Sequence, residues 1–253
     1  MGNKGLTIVP LDLGTVTGID KSIFTLRENQ GVKVDVPCLA WVIKGGEKTL
    51  LVDTGPCDAQ WAARYHRPLA KRPDQELDQA LAKIGMPAGE IELVIFTHLH
   101  WDHCFNLEWL PAATFFVQQS ELAYALDPLP ADRKAYEAGL PGIQPPWQGI
   151  GDRLKTVEGD REVIPGVRVI HLPGHTPGSQ GVVVETAQGP WVIAGDTVPL
   201  YENWDQDEDS RKIPGGIYQN LFDYEASLGR LIAVGGHVLP SHDPRVTERT
   251  LFP

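Results

Sequence analysis

Three cysteines, Cys38, Cys57 and Cys104, are all that 253 residues contain. So sparse and odd a set, without paired spacing, excludes a disulfide framework, and the thiols are expected to be reduced. No apolar run approaches the roughly 20 residues that a transmembrane helix needs. Met1 to Lys21 lacks the basic and apolar blocks of a signal peptide, and Leu6 breaks the myristoylation pattern that Gly2 would begin. The expected compartment is the cytoplasm, with no membrane partner. Basic charge is short as well: 22 Lys and Arg face 33 Asp and Glu, for a net charge of −11. That balance disfavours nucleic acid and anionic lipid as partners and favours solubility. Internal repeats, low-complexity tracts and a linker are also missing.

What is present suits one globular domain over residues 1–253, with 42% apolar and 22% charged residues. Residues 38–54 read as a hairpin, with Cys38 to Ile43 and Thr49 to Val52 as strands around Gly45-Gly46. Asp74 to Met86 reads as a helix with Leu77, Leu81 and Ile84 on one stripe. Ile91 to Phe96 and Thr114 to Val117 read as strands, the second followed by a helix from about Ser120. The Pro- and Gly-rich stretch 127–151 reads as irregular surface structure or a loop-helix insertion. Val167 to Leu172, Gly181 to Glu185 and Trp191 to Ala194 are three further strands. Tyr201 to Ile217 reads as a mobile loop, Leu221 to Ile232 as a helix, and Val238-Leu239 as a last short strand. Strands and helices alternate through both halves, so the fold class is α/β with sheet inside and helices outside.

The chemistry concentrates in Thr97-His98-Leu99-His100-Trp101-Asp102-His103. Imidazole and carboxylate are the donors zinc prefers, and four of them in six residues would leave many polar atoms unsatisfied in an ordinary core. A loop must carry them, because strict strand alternation would send some to the opposite face. His175 in Pro173-Gly174-His175-Thr176-Pro177-Gly178, Asp196 in Gly195-Asp196-Thr197, and His242 after Val238-Leu239 each follow a separate strand end. That is where irregular backbone can converge on a ligand. Asp53, in Asp53-Thr54-Gly55, is expected to orient a ligand rather than bind metal. Cys104 reads as a small packing residue.

Taken together, Asp53-Thr54-Gly55, the His98–His103 cluster, His175, Asp196 and His242 resemble, in order, the five motifs of the metallo-β-lactamase-fold hydrolases. The resemblance implies a four-layer αββα sandwich with two metal ions at one sheet edge. It implies His98, His100 and His175 on one metal, Asp102, His103 and His242 on the other, and Asp196 bridging. Two zinc ions are expected, with manganese, iron or cobalt compatible with the same donors. Such a pair shares a hydroxide nucleophile and polarises a carbonyl oxygen, so no serine or cysteine nucleophile is required. His100 stands where the oxygen-reducing di-iron relatives carry glutamate, and Asp196 is absent from true antibiotic-degrading members.

Within that superfamily the chain is similar to the N-acyl homoserine lactonase group. The similarity lies in Thr97 to Asn106, His171 to Gly178, Tyr201-Glu202-Asn203, and Ser241-His242-Asp243-Pro244-Arg245. The resemblance implies lactone opening by the bridging hydroxide, a small-molecule substrate and a homodimer. Those lactonases carry a tyrosine three residues after the bridging aspartate. Here that position is Pro199, and Tyr201 is the candidate replacement, with Asp102 the other catalytic candidate. Trp101, Trp147 and Trp204 are candidates to line the substrate pocket. Alternative readings are a hydrolase of cyclic amides, imides or ring-bearing esters, a glyoxalase II-like thioesterase, and a non-catalytic metal-binding protein. The thioesterase would need a basic helical extension after His242, where the sequence runs only to Pro253.

Overall fold

The computed structural model describes residues 5–205 and 212–253. Seven strands form one sheet: β1 (Thr7–Asp20), β2 (Lys33–Lys44), β3 (Leu50–Val52), β4 (Leu69–Ala70), β5 (Leu93–Ile95), β6 (Thr114–Gln118) and β7 (Leu154–Val157). Their order is β4-β1-β2-β3-β5-β6-β7. The second sheet holds β8 (Arg161–Ile164), β9 (Val167–His171), β10 (Gln180–Thr186), β11 (Gly189–Ile193) and β12 (His237–Leu239), in the order β12-β11-β10-β9-β8. Five α-helices are described: α1 (Ala59–Tyr65), α2 (Leu77–Lys83), α3 (Gln119–Leu126), α4 (Arg133–Tyr136) and α5 (Leu221–Val234). None of the described helices is long and apolar enough to cross a membrane.

Side-chain alternation along the strands builds the layers. On β2, Leu39, Trp41 and Ile43 pack toward the second sheet, against Val167, Val169, Val182, Val184 and Trp191. The alternate residues Ala40 and Val42 face the other way, with Val94 and Phe115, onto Leu77 and Leu81 of α2 and Ala125 of α3. On β10, Val183 turns outward with Val192 onto Tyr224, Leu228 and Leu231 of α5. The sequence of layers is helices, sheet, sheet, helix: the expected αββα sandwich.

The expected hairpin, the strands after residue 91 and α5 form close to their predicted bounds. The sequence reading omitted β1, α1, β4, β7 and β8. β1 is 14 residues long and pairs with β2 from Thr7↔Lys44 to Asp20↔Lys33, with register shifts between Asp12 and Thr15 and between Val16 and Ile19. Gly14 and Gly18 have φ of +138° and +66° at those shifts, so the glycines permit bulges that bend β1 toward the site. Stretch 127–151 contains α4 and part of a 3-10 segment, Pro146–Arg153, which is the loop-helix form of the two expected. Of the loop expected over Tyr201 to Ile217, residues 206–211 lie outside the described residues. Tyr201–Asn203 forms a 3-10 turn.

Parallel pairing sends the chemistry to one edge. β3 runs parallel to β5, and β11 runs parallel to β12. Asp53 and His98 therefore leave the first sheet at the same end. Asp196 and His242 leave the second sheet likewise. Two glycines let the His175 turn close against the helices. A Cβ on Gly178 would stand 2.1 Å from the Glu121 backbone nitrogen on α3, and one on Gly174 would stand 2.3 Å from the Tyr224 Cα. Gly178→Ala is expected to cost about 1–3 kcal/mol through overpacking, read as a lowered thermal midpoint together with weakened metal retention.

Candidate metal centre

Five imidazoles and two carboxylates converge where the two sheets end. His98, His100 and His175 form one nest. His175 Nε2 lies 3.3 Å from His98 Nε2 and 3.1 Å from His100 Nδ1. Two nitrogens each bound to a tetrahedral zinc at about 2.0–2.1 Å stand about 3.3 Å apart. The spacing is that of ligands around one ion. In the second nest, Asp196 Oδ1 lies 3.2 Å from His103 Nε2 and 3.1 Å from His242 Nε2. Asp102 stands 3.8 Å from His103 Nε2 and 3.9 Å from His242 Nε2. The other oxygen of Asp196, Oδ2, faces His175 Nε2 at 3.5 Å. One carboxylate thus presents one oxygen to each nest.

Hydrogen bonds behind the rings decide which nitrogen faces inward. His103 Nδ1 donates to Asp53 at 2.9 Å, His175 Nδ1 to the Ile217 carbonyl at 3.0 Å, and His242 Nδ1 to the Pro37 carbonyl at 2.9 Å. Thr97 Oγ1 gives its hydrogen to Asp53 and so accepts from His98 Nδ1 at 3.1 Å. In all four rings the proton is held outside and the Nε2 lone pair points into the nest, the arrangement metal-binding histidines use. His103 Nε2 is buried without a hydrogen-bond partner among the described residues. Such an orphan inside a nest of lone pairs is satisfied by a cation. The residues fit two metal ions.

Electrostatics sort the same way. Burial, with the neighbouring imidazoles, holds His98 and His100 well below the ordinary histidine range, so they stay neutral donors. Burial also works to lower His103 and His242, but Asp196 and Asp102 outweigh it and push both up. Burial works to raise Asp196, and His242, His103 and His175 overcome it, so the carboxylate stays ionised.

Several supporting residues lie outside the sequence motifs. Buried Glu121 accepts from Leu99 N, Thr176 Oγ1, Gly178 N and Tyr136 Oη, tying the loop of the first cluster to the His175 turn. Ser241 Oγ donates to Asp196 Oδ1 at 2.7 Å, and Tyr224 Oη donates to the Asp196 carbonyl at 2.6 Å. Cys38 offers its sulfur beside Asp102 and His242, the three ligand atoms lying within 4.8 Å of one another. Burial and the charges of Asp102 and Asp196 push its thiol up, so it stands there as S–H. Only contacts across the fold reveal these residues. Asp53 bonds Thr97 N, Thr97 Oγ1 and His103 Nδ1 behind the first cluster. Asp53→Asn is expected to weaken metal binding about 10–100-fold, measured by competition with a chromophoric chelator.

A cavity of about 370 Å³ opens onto the nests, lined by His100, Trp101, Asp102, His175, Asp196 and His242 together with Val16, Ile19, Phe24 and Val36. Trp101 lines it as expected. Three other aromatic candidates do not. Trp147 is 2% exposed within the core beneath the first sheet. Trp204 packs toward α5 under Lys212. Tyr201 stands outside the cavity lining, its ring under the Arg245 guanidinium at 4.5 Å, and burial beside Asp243 pushes its phenol up to about 12. Its backbone N–H is pinned to Asp243 at 2.9 Å, which turns the segment away from the metals. The structure thus places Tyr201 against Arg245 rather than on the cavity lining. Cys104 is buried against the Leu99 carbonyl.

The family model for the metallo-beta-lactamase superfamily matches residues 34–239, and the chain belongs to that superfamily. Among characterised relatives it is 26% identical over 199 residues to an N-acyl homoserine lactonase of Bacillus sp, an alignment covering 75% of each chain. It is likewise 26% identical over 186 residues to the N-acyl homoserine lactonase AiiA of Bacillus thuringiensis subsp. kurstaki, covering 69% of each. A crystal structure of a B. thuringiensis AiiA variant with N-decanoyl-L-homoserine at its active site superposes with a TM-score of 0.77 at 22% identity, covering 98% of this chain and 96% of that one. AidC, a dizinc quorum-quenching lactonase in complex with its product, gives 0.70 at 20% identity, over 97% and 89%. These superpositions establish the fold.

Proposed function

We propose that the protein is a dinuclear-metal hydrolase that opens lactones, with N-acyl homoserine lactones as substrates and zinc as the metal. The observation that carries this reading is Asp196, which turns one oxygen to each of two histidine nests. The lactonase relatives support the substrate class. In this reading His98, His100 and His175 hold one ion, Asp102, His103 and His242 hold the other, and Asp196 bridges. Bound zinc supplies a hydroxide at neutral pH and withdraws charge from the ester carbonyl.

The chain's own residues do the rest. The wall of Val16, Ile19, Phe24 and Val36 excludes water beside the ring and offers apolar surface to an acyl chain. Ser241 and Tyr224 hold Asp196 so that it need not reorganise. Asp102, on the cavity wall with its side chain 17% exposed, is the group placed to carry a proton to the leaving alkoxide. The water oxygen joins the carbonyl carbon, the ring C–O bond breaks, and the alkoxide takes a proton. The product hydroxy acid then ionises and releases one proton.

That proton is the assay. Zinc-loaded protein is expected to release one proton per N-acyl homoserine lactone consumed, and His103→Ala to abolish the release. Turnover of cyclic amides or imides but of no lactone, by protein carrying two metals, would replace this reading.

A further inference from the structure

A second buried cluster of titratable groups borders the same cavity. His66 caps the end of α1, and its Nε2 lies 2.6 Å from Glu137 Oε1. Trp61 Nε1 donates to the same oxygen at 2.5 Å. The His66 and Glu137 side chains are each 2% exposed. Glu137 sits at φ +54°, in the left-handed region that non-glycine residues seldom adopt. A buried carboxylate on strained backbone is a costly way to fill space, and it needs partners that repay its desolvation. Here its partners fix one ring. The His66 imidazole also stacks on Trp101, with centroids 4.5 Å apart and an interplanar angle of 5°.

Two contacts, the Glu137 hydrogen bond and the Trp101 stack, therefore hold one imidazole beside the metal nests, with Trp61 holding Glu137 in turn, and none of these partners is a metal ligand. With Nε2 engaged by Glu137, Nδ1 is the ring nitrogen left to face a substrate, and in the tautomer with the proton on Nε2 it is a hydrogen-bond acceptor. Nδ1 has no hydrogen-bond partner among the described residues, and His66 lines the cavity together with Trp101, His100 and Asp102. The position where the resembled lactonases place a substrate-binding phenol is Pro199 here, and Tyr201 faces Arg245 instead. The cavity wall thus carries a preorganised imidazole that is not a metal ligand.

We propose that His66, oriented by Glu137 and Trp61, is a specificity-determining residue whose Nδ1 accepts a hydrogen bond from an N–H group on the substrate beside the ring that opens. The substrate class it selects is a lactone bearing an amide, in preference to a lactone bearing only an alkyl chain. Trp101, stacked on the imidazole and lining the same cavity, holds the plane of that ring. The inference rests on the lactonase reading above and adds a recognition element to it.

The test compares an N-acyl homoserine lactone with an alkyl-substituted lactone of matched length, in the wild type, His66→Leu, His66→Asn and Glu137→Gln. Loss of one hydrogen bond to substrate is worth about tenfold. His66→Leu is expected to lower kcat/KM about tenfold on the amide-bearing lactone, chiefly through KM, and to leave the alkyl lactone within about twofold. His66→Asn keeps an acceptor where Nδ1 stood and is expected to recover most of the loss. Glu137→Gln, whose amide oxygen accepts from Nε2–H more weakly than the carboxylate does, is expected to fall between. Equal losses on both lactones, or no recovery with asparagine, would make His66 a structural residue and overturn the inference while the lactonase reading stands. A wild type that opens neither lactone would overturn both.

Discussion

Asp196→Asn is expected to lower bound metal from two ions per chain toward one and to cut kcat/KM by about a thousandfold or more. The substitution preserves shape and removes the charge that His103, His242 and His175 surround. An amide has one oxygen, so it cannot face both nests as Oδ1 and Oδ2 do. Loss of one of two Lewis acids removes several kcal/mol of transition-state stabilisation, and every 1.4 kcal/mol is about tenfold. The fold is expected to persist, because Tyr224 holds the backbone carbonyl of residue 196 rather than its side chain. Elemental analysis and turnover on the same preparation read both effects. Two metals retained with activity within about tenfold of the wild type would contradict the bridging role.

Chelation is expected to lower the thermal midpoint by roughly 10 °C, with recovery on returning zinc. Without a cation, His175 Nε2 faces the ring nitrogens of His98 and His100 at 3.3 and 3.1 Å inside the first nest, and His103 Nε2 has no hydrogen-bond partner among the described residues. A ligand that binds only the folded state at about a thousand times its dissociation constant adds about 4 kcal/mol. For a chain of this size each kcal/mol is worth about 2–4 °C. Calorimetric scans of metal-loaded and metal-free protein measure the difference. An unchanged midpoint in protein shown to be metal-free would mean that the histidines are held by packing alone.

The metal-binding candidates were legible because their residue types are chemically dense. No packing argument accounts for three histidines and an aspartate between His98 and His103, and each later ligand follows an apolar run that reads as a strand end. The sandwich was legible where periodicity is clean, as in β2, β10 and α5. It was illegible in β1, where Pro10, Gly14 and Gly18 break the alternation and pairing with β2 and β4 keeps the strand extended. α1 spans seven residues, too few for a helical stripe to stand out. Trp147 and Tyr201 show the limit of composition. An aromatic near a motif in sequence is placed by packing, and these two are drawn into the core and under Arg245. Conversely, His66, Glu121 and Glu137 carry no spacing signal, and their roles exist only in contacts between distant segments.

The central claim is that two ions held across Asp196 act together on a lactone. Metal-free protein titrated with zinc, while bound metal and ring opening of an N-acyl homoserine lactone are followed on the same samples, tests it most directly. The rate is expected to lag the first equivalent and saturate at two. Full activity at one equivalent, or turnover with none, would contradict it.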